Sequence, residues 1–359
     1  MAVVGSVFTR RQWIRPLMIH RIVVLAAVVA LGQAQMAAQI RLAKTCTVHF
    51  ATPEQGKSRL AKHDAYIKGL SPFERAAKIL KPGPVSTEEY IDFIVAQTLE
   101  WDEDDKAKLK KIIQIASSKL APYARHIPPD IYLIKTTGKD EGAAPYTRGI
   151  SIVLPNRTVR QSTKGLERLF YHELFHIISR NNTQLRDELY ALIGFHPCGV
   201  VSLPDDLMPR RISNPDAPVV EHCIRVTEND MPHWVAPVLF SRIPEYDPKV
   251  GGTFFRYLEM RLMAIDRNTA KPILRDDKPV MFQPREVEGF FEQIGNNTNY
   301  ILHPEETLAN NFVFLITKKQ GLANPEIPEK IGAVLLKPES KSEARISRTT
   351  RPWTSVNRY

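Results

Sequence analysis

One short stretch constrains this chain more than any other: residues 171–176 read YHELFH and contain the pattern His-Glu-x-x-His within a segment of helical periodicity. Residues four apart in an α-helix lie one turn above each other on the same face, so His172 and His176 can direct two imidazole nitrogens to one point. Two imidazoles placed in this way suit tetrahedral Zn²⁺, and Glu173 beside them could take a proton from a metal-bound water. The sequence therefore predicts a zinc site on a helix.

The same three residues could instead form the polar face of an ordinary amphipathic helix, without any metal. Such a face would not require both residues between the histidines to be large and apolar, as they are here. The flanking sequence is that of a complete helix: Ser162 and Thr163 are good N-cap residues, and Asn181 and Asn182 tolerate the left-handed conformation in which many helices end. These features favour the metal site.

The charge distribution argues against a nucleic-acid partner. The formal net charge is +10 among 359 residues, but residues 1–38 contain four arginines and no acid, and residues 337–359 contain six basic and two acidic side chains. Each end thus carries +4, which leaves +2 for the residues between them. A body so close to neutral lacks the basic surface with which proteins bind nucleic acid.

The N-terminus has the pattern of an export signal. Basic residues up to Arg21 precede an apolar run at 22–31, and small and polar residues follow at 32–38, where a signal peptidase could cleave. The run is shorter than the roughly 20 apolar residues that a membrane-spanning helix needs. We therefore expect a signal peptide at residues 1–38, a secreted or periplasmic protein, and no stable membrane insertion after cleavage. The alternative is a membrane anchor formed by an uncleaved signal.

Three cysteines follow the apolar run, and none belongs to a C-x-x-C pair, so a cysteine zinc site is not expected. In an exported protein, Cys198 and Cys223 could form a disulfide around the segment between them. Cys46 would then be the odd thiol. Sequence alone does not fix this pairing.

Helical signals dominate residues 39–128, which we interpret as a helical N-terminal subdomain. Ser71 opens a capping-box pattern ahead of a helix predicted at Pro72–Leu80, and further helices are predicted to follow Ser86 and Asp102. These helices carry no catalytic pattern, so we expect them to pack against the part of the chain that does.

Strand signals take over after these helices. The β-rich residues 131–135 predict one strand, and the alternating pattern at 147–154 predicts another. A strand just before the metal-binding helix could present an open edge, along which an extended peptide adds as a further strand. Apolar runs separated by turns predict a β-rich insertion at 219–265, and the Pro/Ser/Arg-rich residues 337–359 predict a disordered basic tail.

Two histidines do not complete a catalytic zinc site, which takes a third protein ligand and keeps the fourth position for water. A third histidine six residues past His176, as in metzincins, is absent because that position is Asn182. Residues 303–311 read HPEETLANN and contain a Glu followed four residues later by Asn. With these two motifs in this order, the chain resembles the gluzincin branch of the zinc metallopeptidases, in which a downstream helix supplies a Glu and, four residues later, an Asp.

This resemblance implies roles for particular residues. Glu306 would be the third zinc ligand, and Asn310, in place of the usual Asp, would orient a ligand histidine through a hydrogen bond. The resemblance also implies an α+β fold, with a zincin-like domain at residues 129–336 that contains a small sheet and the active-site helices.

Other carboxylates could complete the site instead. Glu188 and Asp187 lie on a short predicted helix just after the motif and could fold back towards the histidines, Asp187 in the manner of an aspzincin. Glu305 is a further alternative, one residue from Glu306. Each also has an ordinary interpretation, because charged residues commonly form a solvated helix face, and acidic residues stabilise a helix N-terminus.

The predicted chemistry is hydrolysis of peptide bonds in a peptide or protein substrate. One Zn²⁺ would lower the pKa of a bound water towards about 7, and Glu173 would take its proton and pass it to the leaving amine. Tyr300, Tyr146 and His303 are candidate donors to the oxyanion. Two alternatives stay open: a catalytically inactive zincin-fold protein that binds or supports a partner, and a zinc hydrolase of non-peptide amides. Glu173 argues against the first, because a site that only binds metal has no use for a base.

Overall fold

A computed structural model describes residues 39–338 of the chain. The predicted signal peptide at residues 1–38 and residues 339–359 of the predicted tail lie outside the described residues. From Ile40 onward the described residues belong to one compact unit. They combine helices with small sheets, which confirms the α+β class. Within this part of the chain, no helix is long and apolar enough to cross a membrane.

The first helices begin where the sequence provides caps. The Ser71 hydroxyl accepts a hydrogen bond from the backbone N–H of Glu74 at 3.1 Å, and the Glu74 carboxylate accepts one from the N–H of Ser71, as the capping box predicts. Ser86 and Asp102 cap the two helices that were predicted to follow them. In chain order the described α-helices are Pro53–Leu60, Ala65–Gly69, Pro72–Lys78, Thr87–Val95, Glu103–Leu120, Asn156–Val159, Thr163–Asn181, Thr183–Ala191, Phe290–Ile294, Pro304–Thr317 and Glu326–Leu336.

The first sheet lies before the motif in the sequence and has the strand order β1-β2-β4-β6-β5, with β3 beside β4. Strands β2, β4 and β6 run parallel, while β5 pairs antiparallel with β6 at the end of the sheet. A two-residue turn joins β5 and β6, and both strands contact the helix Thr163–Asn181 that carries the motif. The strands are β1 (Gln39–Ala43), β2 (Cys46–Phe50), β3 (Thr98–Leu99), β4 (Asp130–Thr136), β5 (Tyr146–Arg148) and β6 (Ser151–Pro155).

The second sheet follows the motif and is antiparallel throughout, in the order β13-β10-β9-β8-β7. Its long strands β8, β9 and β10 correspond to the β-rich segment predicted at 219–265. A separate two-stranded ribbon joins β11 and β12. The strands are β7 (Phe195–Pro197), β8 (His222–Glu228), β9 (Met231–Ser241), β10 (Leu258–Ile265), β11 (Leu274–Arg275), β12 (Lys278–Pro279) and β13 (Met281–Phe282).

Two expectations about secondary structure are wrong. The region expected to be helical begins with strands, because Cys46, Val48 and Phe50 alternate with less buried residues and fill one face of the first sheet. The single strand expected at 147–154 is a hairpin of two strands. Gly149 has a φ of +58°, a left-handed conformation that favours glycine, and it reverses the chain there.

Two helices that are distant in sequence pack against each other and position both motifs. We call Thr163–Asn181 the motif helix and Pro304–Thr317 the glutamate helix; they are direct neighbours in the fold. The rings of Phe175 and Phe312 meet between them with centroids 5.6 Å apart, and both side chains are fully buried. This apolar contact brings HELFH and HPEE face to face.

Candidate metal centre

The motif helix is defined at both ends by its own sequence. The Ser162 hydroxyl accepts a backbone N–H of the first turn at 3.1 Å, which confirms this residue as the N-cap. Asn182 has a φ of −140°, so the left-handed ending expected there is wrong; this residue instead caps the following helix with its side chain. Within the helix His172 and His176 are one turn apart, and their ring centroids are 4.7 Å from each other.

His172, His176 and Glu306 bring one ligand atom each to a common region, and the three atoms lie within 4.8 Å of one another. Glu306 Oε2 is 3.1 Å from His172 Nε2 and 3.7 Å from His176 Nε2. His176 and Glu306 are 1% and 2% exposed. This group of two imidazoles and one carboxylate could hold a metal ion.

The electrostatic field at this group favours a cation. Burial opposes protonation of His176, but the carboxylates of Asp216, Glu306 and Glu305 outweigh it and raise the pKa of His176 to about 10. Burial likewise opposes ionisation of Glu306, but His176 and His172 outweigh it and lower the pKa of Glu306 to about 2. The same field that holds a proton on the imidazole would stabilise a metal cation bound in its place.

Glu173 lies beside the ligand atoms, with a carboxylate oxygen within 4.8 Å of a ring nitrogen of His176. Its side chain is buried at 2% exposure, and its Oε2 has no hydrogen-bond partner in the described chain. Burial, reinforced by the nearby carboxylate of Asp216, raises the pKa of Glu173 well above the usual range. A buried carboxyl group with one free oxygen is able to exchange a proton with a bound molecule.

Glu305, and not Asn310, lies beside a motif histidine. Glu305 Oε1 is 2.9 Å from His176 Nδ1, and its Oε2 accepts hydrogen bonds from Ser179 Oγ at 2.7 Å and the Tyr190 hydroxyl at 2.6 Å. A carboxylate in this position fixes the tautomer and orientation of a ligand histidine and increases its basicity. Glu305 therefore contacts His176 at Nδ1 and is not one of the three residues whose ligand atoms converge.

The role expected for Asn310 is wrong, because its amide does not reach either motif histidine. Asn310 Nδ2 donates to Thr298 Oγ1 at 3.2 Å, in the loop before the glutamate helix. The Nδ1 atom of His176 is already paired with Glu305. Asn310 therefore supports the loop instead of the site.

A segment from the loop before β8 completes the group; we call residues 211–217 the strap. Asn214 Nδ2 donates to Glu306 Oε1 at 2.6 Å. A carboxylate oxygen of Asp216 lies within 4.8 Å of one ligand atom each of Glu173 and His176. The sequence reasoning missed both residues, since nothing in their local pattern connects them with the motif.

The strap also covers the end of the first sheet. In the β5–β6 hairpin Arg148 faces Ser151 next to the turn, so the backbone of Thr147 points outward from the sheet. Its N–H donates to Asp216 Oδ1 at 2.8 Å, and its hydroxyl donates to the same oxygen at 2.5 Å. Thr147 is 0% exposed. The expectation of an open strand edge before the motif helix is therefore wrong, because the strap occupies the outer edge of β5.

The candidate oxyanion donors have different positions. Tyr300 stacks beside His172, with ring centroids 6.2 Å apart and an angle of 18° between the rings. The carboxylate of Glu306 raises the pKa of Tyr300, so its hydroxyl keeps its proton. His303 caps the glutamate helix: its Nδ1 accepts the N–H of Glu305 at 3.1 Å, and burial lowers its pKa to about 4. Only Tyr300 of these two contacts a predicted ligand ring.

Three other predicted residues lie elsewhere. Tyr146 is buried on β5 and donates to Asp140 Oδ2 at 3.0 Å. Asp187 pairs with His222 at 2.9 Å, and Glu188 pairs at the surface with Lys337 at 3.4 Å. Tyr146 is therefore wrong as an oxyanion donor, and Asp187 and Glu188 are wrong as third ligands, because their side chains have partners away from the motif histidines.

The cysteines predicted to pair are neighbours in the second sheet. Cys198 follows β7 and Cys223 lies on β8, both in one apolar cluster, and both are free thiols, as is the buried Cys46. A hydrogen bond between the two thiols raises the pKa of Cys198 and lowers that of Cys223. The predicted disulfide between them is not formed in this structure.

A cavity of about 280 Å³ adjoins the strap. Asn214 and His303 form part of its wall next to the metal group, and most of the remaining wall is apolar, including Val201, Val220 and Leu239. Its volume is close to the lower end of the range of about 300–1,000 Å³ that is usual for small-molecule pockets.

Comparison of the chain with protein-family models, with curated proteins and with solved structures finds no match.

Proposed function

We propose that this protein is an exported, zinc-dependent metallopeptidase of the gluzincin type, with a zincin-like catalytic fold. The observation that carries this proposal is the convergence of His172, His176 and Glu306 from two separate helices, with Glu173 beside them. Export is supported by the signal-peptide pattern at residues 1–38.

The donor set fits zinc. Two imidazole nitrogens and one carboxylate oxygen are ligands that zinc takes in catalytic sites, at about 2.0–2.2 Å. Tetrahedral donors at that distance lie roughly 3.3 Å from each other, and Glu306 Oε2 is 3.1 and 3.7 Å from the two imidazole nitrogens. His176 Nε2 is buried and lacks a hydrogen-bond partner in the described chain. A bound metal would satisfy this nitrogen by accepting its lone pair.

When bound, the metal supplies Lewis-acid chemistry, which polarises a carbonyl group and makes water more acidic. Glu173 provides the proton transfer: its unpartnered Oε2 accepts a proton from the attacking water and returns it to the leaving amine. Burial raises the pKa of Glu173 well above its usual range, so the proton that this residue takes up is held long enough to be passed on.

The remaining residues orient the site. Glu305 holds His176 through Nδ1, so that Nε2 faces the common point of the ligands. Asn214 occupies Glu306 Oε1 and leaves Oε2 for the metal. Tyr300 keeps its hydroxyl proton beside His172, and we assign to it the hydrogen bond to the developing oxyanion.

The test combines metal analysis with peptide cleavage. We expect the wild-type protein to bind one zinc and to cleave peptides, and Glu173→Gln to keep the zinc but lose about 10²–10⁴-fold in kcat. Glu306→Ala should lose zinc, while the matched control Glu188→Ala, at a surface carboxylate, should retain it. Zinc binding without cleavage by the wild-type protein would instead favour an inactive zincin-fold binding protein. Cleavage of non-peptide amides but not of peptides would favour a zinc hydrolase of non-peptide amides.

A further inference from the structure

The strap restricts what can approach the metal group. It is attached on several sides: Ser71 Oγ donates to Arg211 O at 2.7 Å, Ser213 N donates to the buried Glu74 at 2.6 Å, and Arg180 donates to Asp216 O at 2.9 Å. Because Asp216 already accepts the outward N–H of Thr147, a long extended substrate cannot pair with β5 unless these bonds break. A substrate at the metal group must therefore be held by groups other than the edge of β5.

Asp216 also presents an acceptor that the protein does not use. Both hydrogen bonds from Thr147 reach Oδ1, and Arg180 approaches that same oxygen at 3.7 Å. No hydrogen bond reaches Oδ2 within residues 39–338. Asp216 keeps 9% exposure, so this oxygen is open to a hydrogen bond from a bound group.

The charges around this oxygen select a cationic ligand. Glu173, Asp216, Glu305 and Glu306 are four buried acidic groups, with Arg180 as the basic side chain that reaches Asp216. A divalent metal on two neutral imidazoles, together with Arg180, balances three of these carboxylates, so one negative charge is left when Glu173 is ionised. An ammonium group is the complementary partner, since it offers up to three donors and a positive charge.

We propose that Asp216 binds the free α-amino group of the substrate, so that the site releases the first residue of a peptide, as an aminopeptidase does. This inference rests on the proposed metallopeptidase function. In any amino acid the α-nitrogen is about 2.5 Å from the carbonyl carbon of the same residue, whereas each further residue adds about 3.3–3.6 Å. Because a carboxylate oxygen of Asp216 lies within 4.8 Å of one of Glu173, an ammonium on Asp216 places the first peptide bond next to the base.

The first test compares two forms of one peptide on the zinc-loaded wild-type protein: Leu-Ala-Ala amide and its N-acetylated form. The leucine suits the apolar cavity beside Asn214. We expect free leucine as the product and a kcat/KM at least about 100-fold higher for the free amine, the typical effect of losing a charged hydrogen-bond partner. Equal cleavage of the acetylated peptide would overturn the proposal while leaving the metallopeptidase function intact.

The second test measures binding without turnover. In the Glu173→Gln protein, calorimetry should show the free-amine peptide binding at least about 10-fold more tightly than the acetylated one, with the metal present or removed. Adding Asp216→Asn should abolish this preference while zinc content stays unchanged. A further outcome is that the wild-type protein cleaves no peptide while the Glu173→Gln protein still prefers the free amine. In that outcome the metallopeptidase function fails and the ammonium site at Asp216 stands.

The control is Thr147→Val, which removes the hydrogen bond from the Thr147 hydroxyl to Asp216 but keeps the negative charge of Asp216. This variant should prefer the free amine as strongly as the wild-type protein does. Loss of zinc in Asp216→Asn would make Asp216 a metal ligand and overturn the proposal. If Asp216→Asn does not fold, the two peptides on the wild-type protein still decide the question.

Discussion

Two of the buried groups of charged side chains within residues 39–338 differ in the origin of their positive charge. In the first, Lys78 Nζ lies 3.2 Å from Glu74 and 2.8 Å from Glu141, and the Tyr90 hydroxyl donates to Glu141 at 2.8 Å. Lys78 and Glu74 have fully buried side chains. In the second, the metal group, carboxylates and imidazoles converge, and His176 Nε2 and Glu173 Oε2 have no partner in the described residues.

The difference shows how a structural cluster is distinguished from a functional one. Lys78 supplies the cation that the carboxylates around it need, so that group is complete without a ligand. In the metal group the positive charge of the metal-free protein is a proton on His176, which a bound metal can replace. This group can therefore exchange its cation, whereas the lysine of the first group is fixed in the chain. The two groups are linked, because Glu74 also holds Ser213 of the strap.

The largest effect should come from removing the cation of the structural cluster. Lys78→Met leaves Glu74 and Glu141 buried without their counter-charge, and we expect a loss of about 3–5 kcal/mol in the free energy of unfolding. Chemical denaturation would measure it. The exposed Lys68→Met is the matched control and should change stability by less than about 0.5 kcal/mol. A mild effect at Lys78 would contradict the view that this cluster depends on its own cation.

The pH dependence of stability should distinguish the metal-free from the metal-loaded protein. The pKa of His176 is raised from 6.5 to about 10, so its contribution is complete below pH 6.5 and is lost as the pH rises towards 10. The metal-free protein should therefore lose up to about 1.4 kcal/mol per pH unit in this window. With metal bound, His176 is already unprotonated, and the slope should be much smaller. Equal slopes in thermal or urea unfolding would argue against the metal on His176.

Zinc itself should stabilise the folded protein, because the unfolded chain does not hold the ligands together. At a free zinc concentration 100 times the Kd, we expect about 2.7 kcal/mol of stabilisation. His176→Ala should abolish this gain, whereas His196→Ala, at a histidine on β7 outside the metal group, should retain it. A zinc effect that survives the loss of His176 would place the metal elsewhere.

The smallest effect concerns the residue that orients the ligand. Glu305→Gln keeps the size of the side chain but removes the charge that pairs with His176 Nδ1, and we expect zinc affinity to fall about 10–100-fold. Asn310→Ala should leave the affinity within about 2-fold, since its amide bonds to Thr298. The reverse ranking in a competition titration with a chelator would restore the role that the sequence resemblance gave to Asn310.

Local sequence was sufficient for the parts that local physics decides. Ser71, Ser86, Asp102 and Ser162 all cap the helices predicted for them, because a cap depends on residues three positions away. The convergence of His172 and His176 follows from the turn of one helix. Glu306 was reached by motif resemblance, and the structure places it against both histidines.

Other parts could not be read from the sequence, because they depend on contacts between distant segments. Asp216 and Asn214 come from a loop with no pattern of its own, and only the folding of the strap onto β5 and the glutamate helix brings them to the site. The choice between Glu305 and Asn310 as partner of His176 depends on the rotation of the glutamate helix. One residue of rotation changes which carboxylate faces the metal group and which faces Nδ1.

The sequence by itself determined the motif helix, its paired histidines and its adjacent base, since all three follow from helix geometry within a few residues. The tertiary structure decided which carboxylate completes the group, what orients His176, and that the sheet edge beside the site is covered. These features arise where segments more than 30 residues apart pack together, and such packing depends on shape and burial rather than on any local pattern.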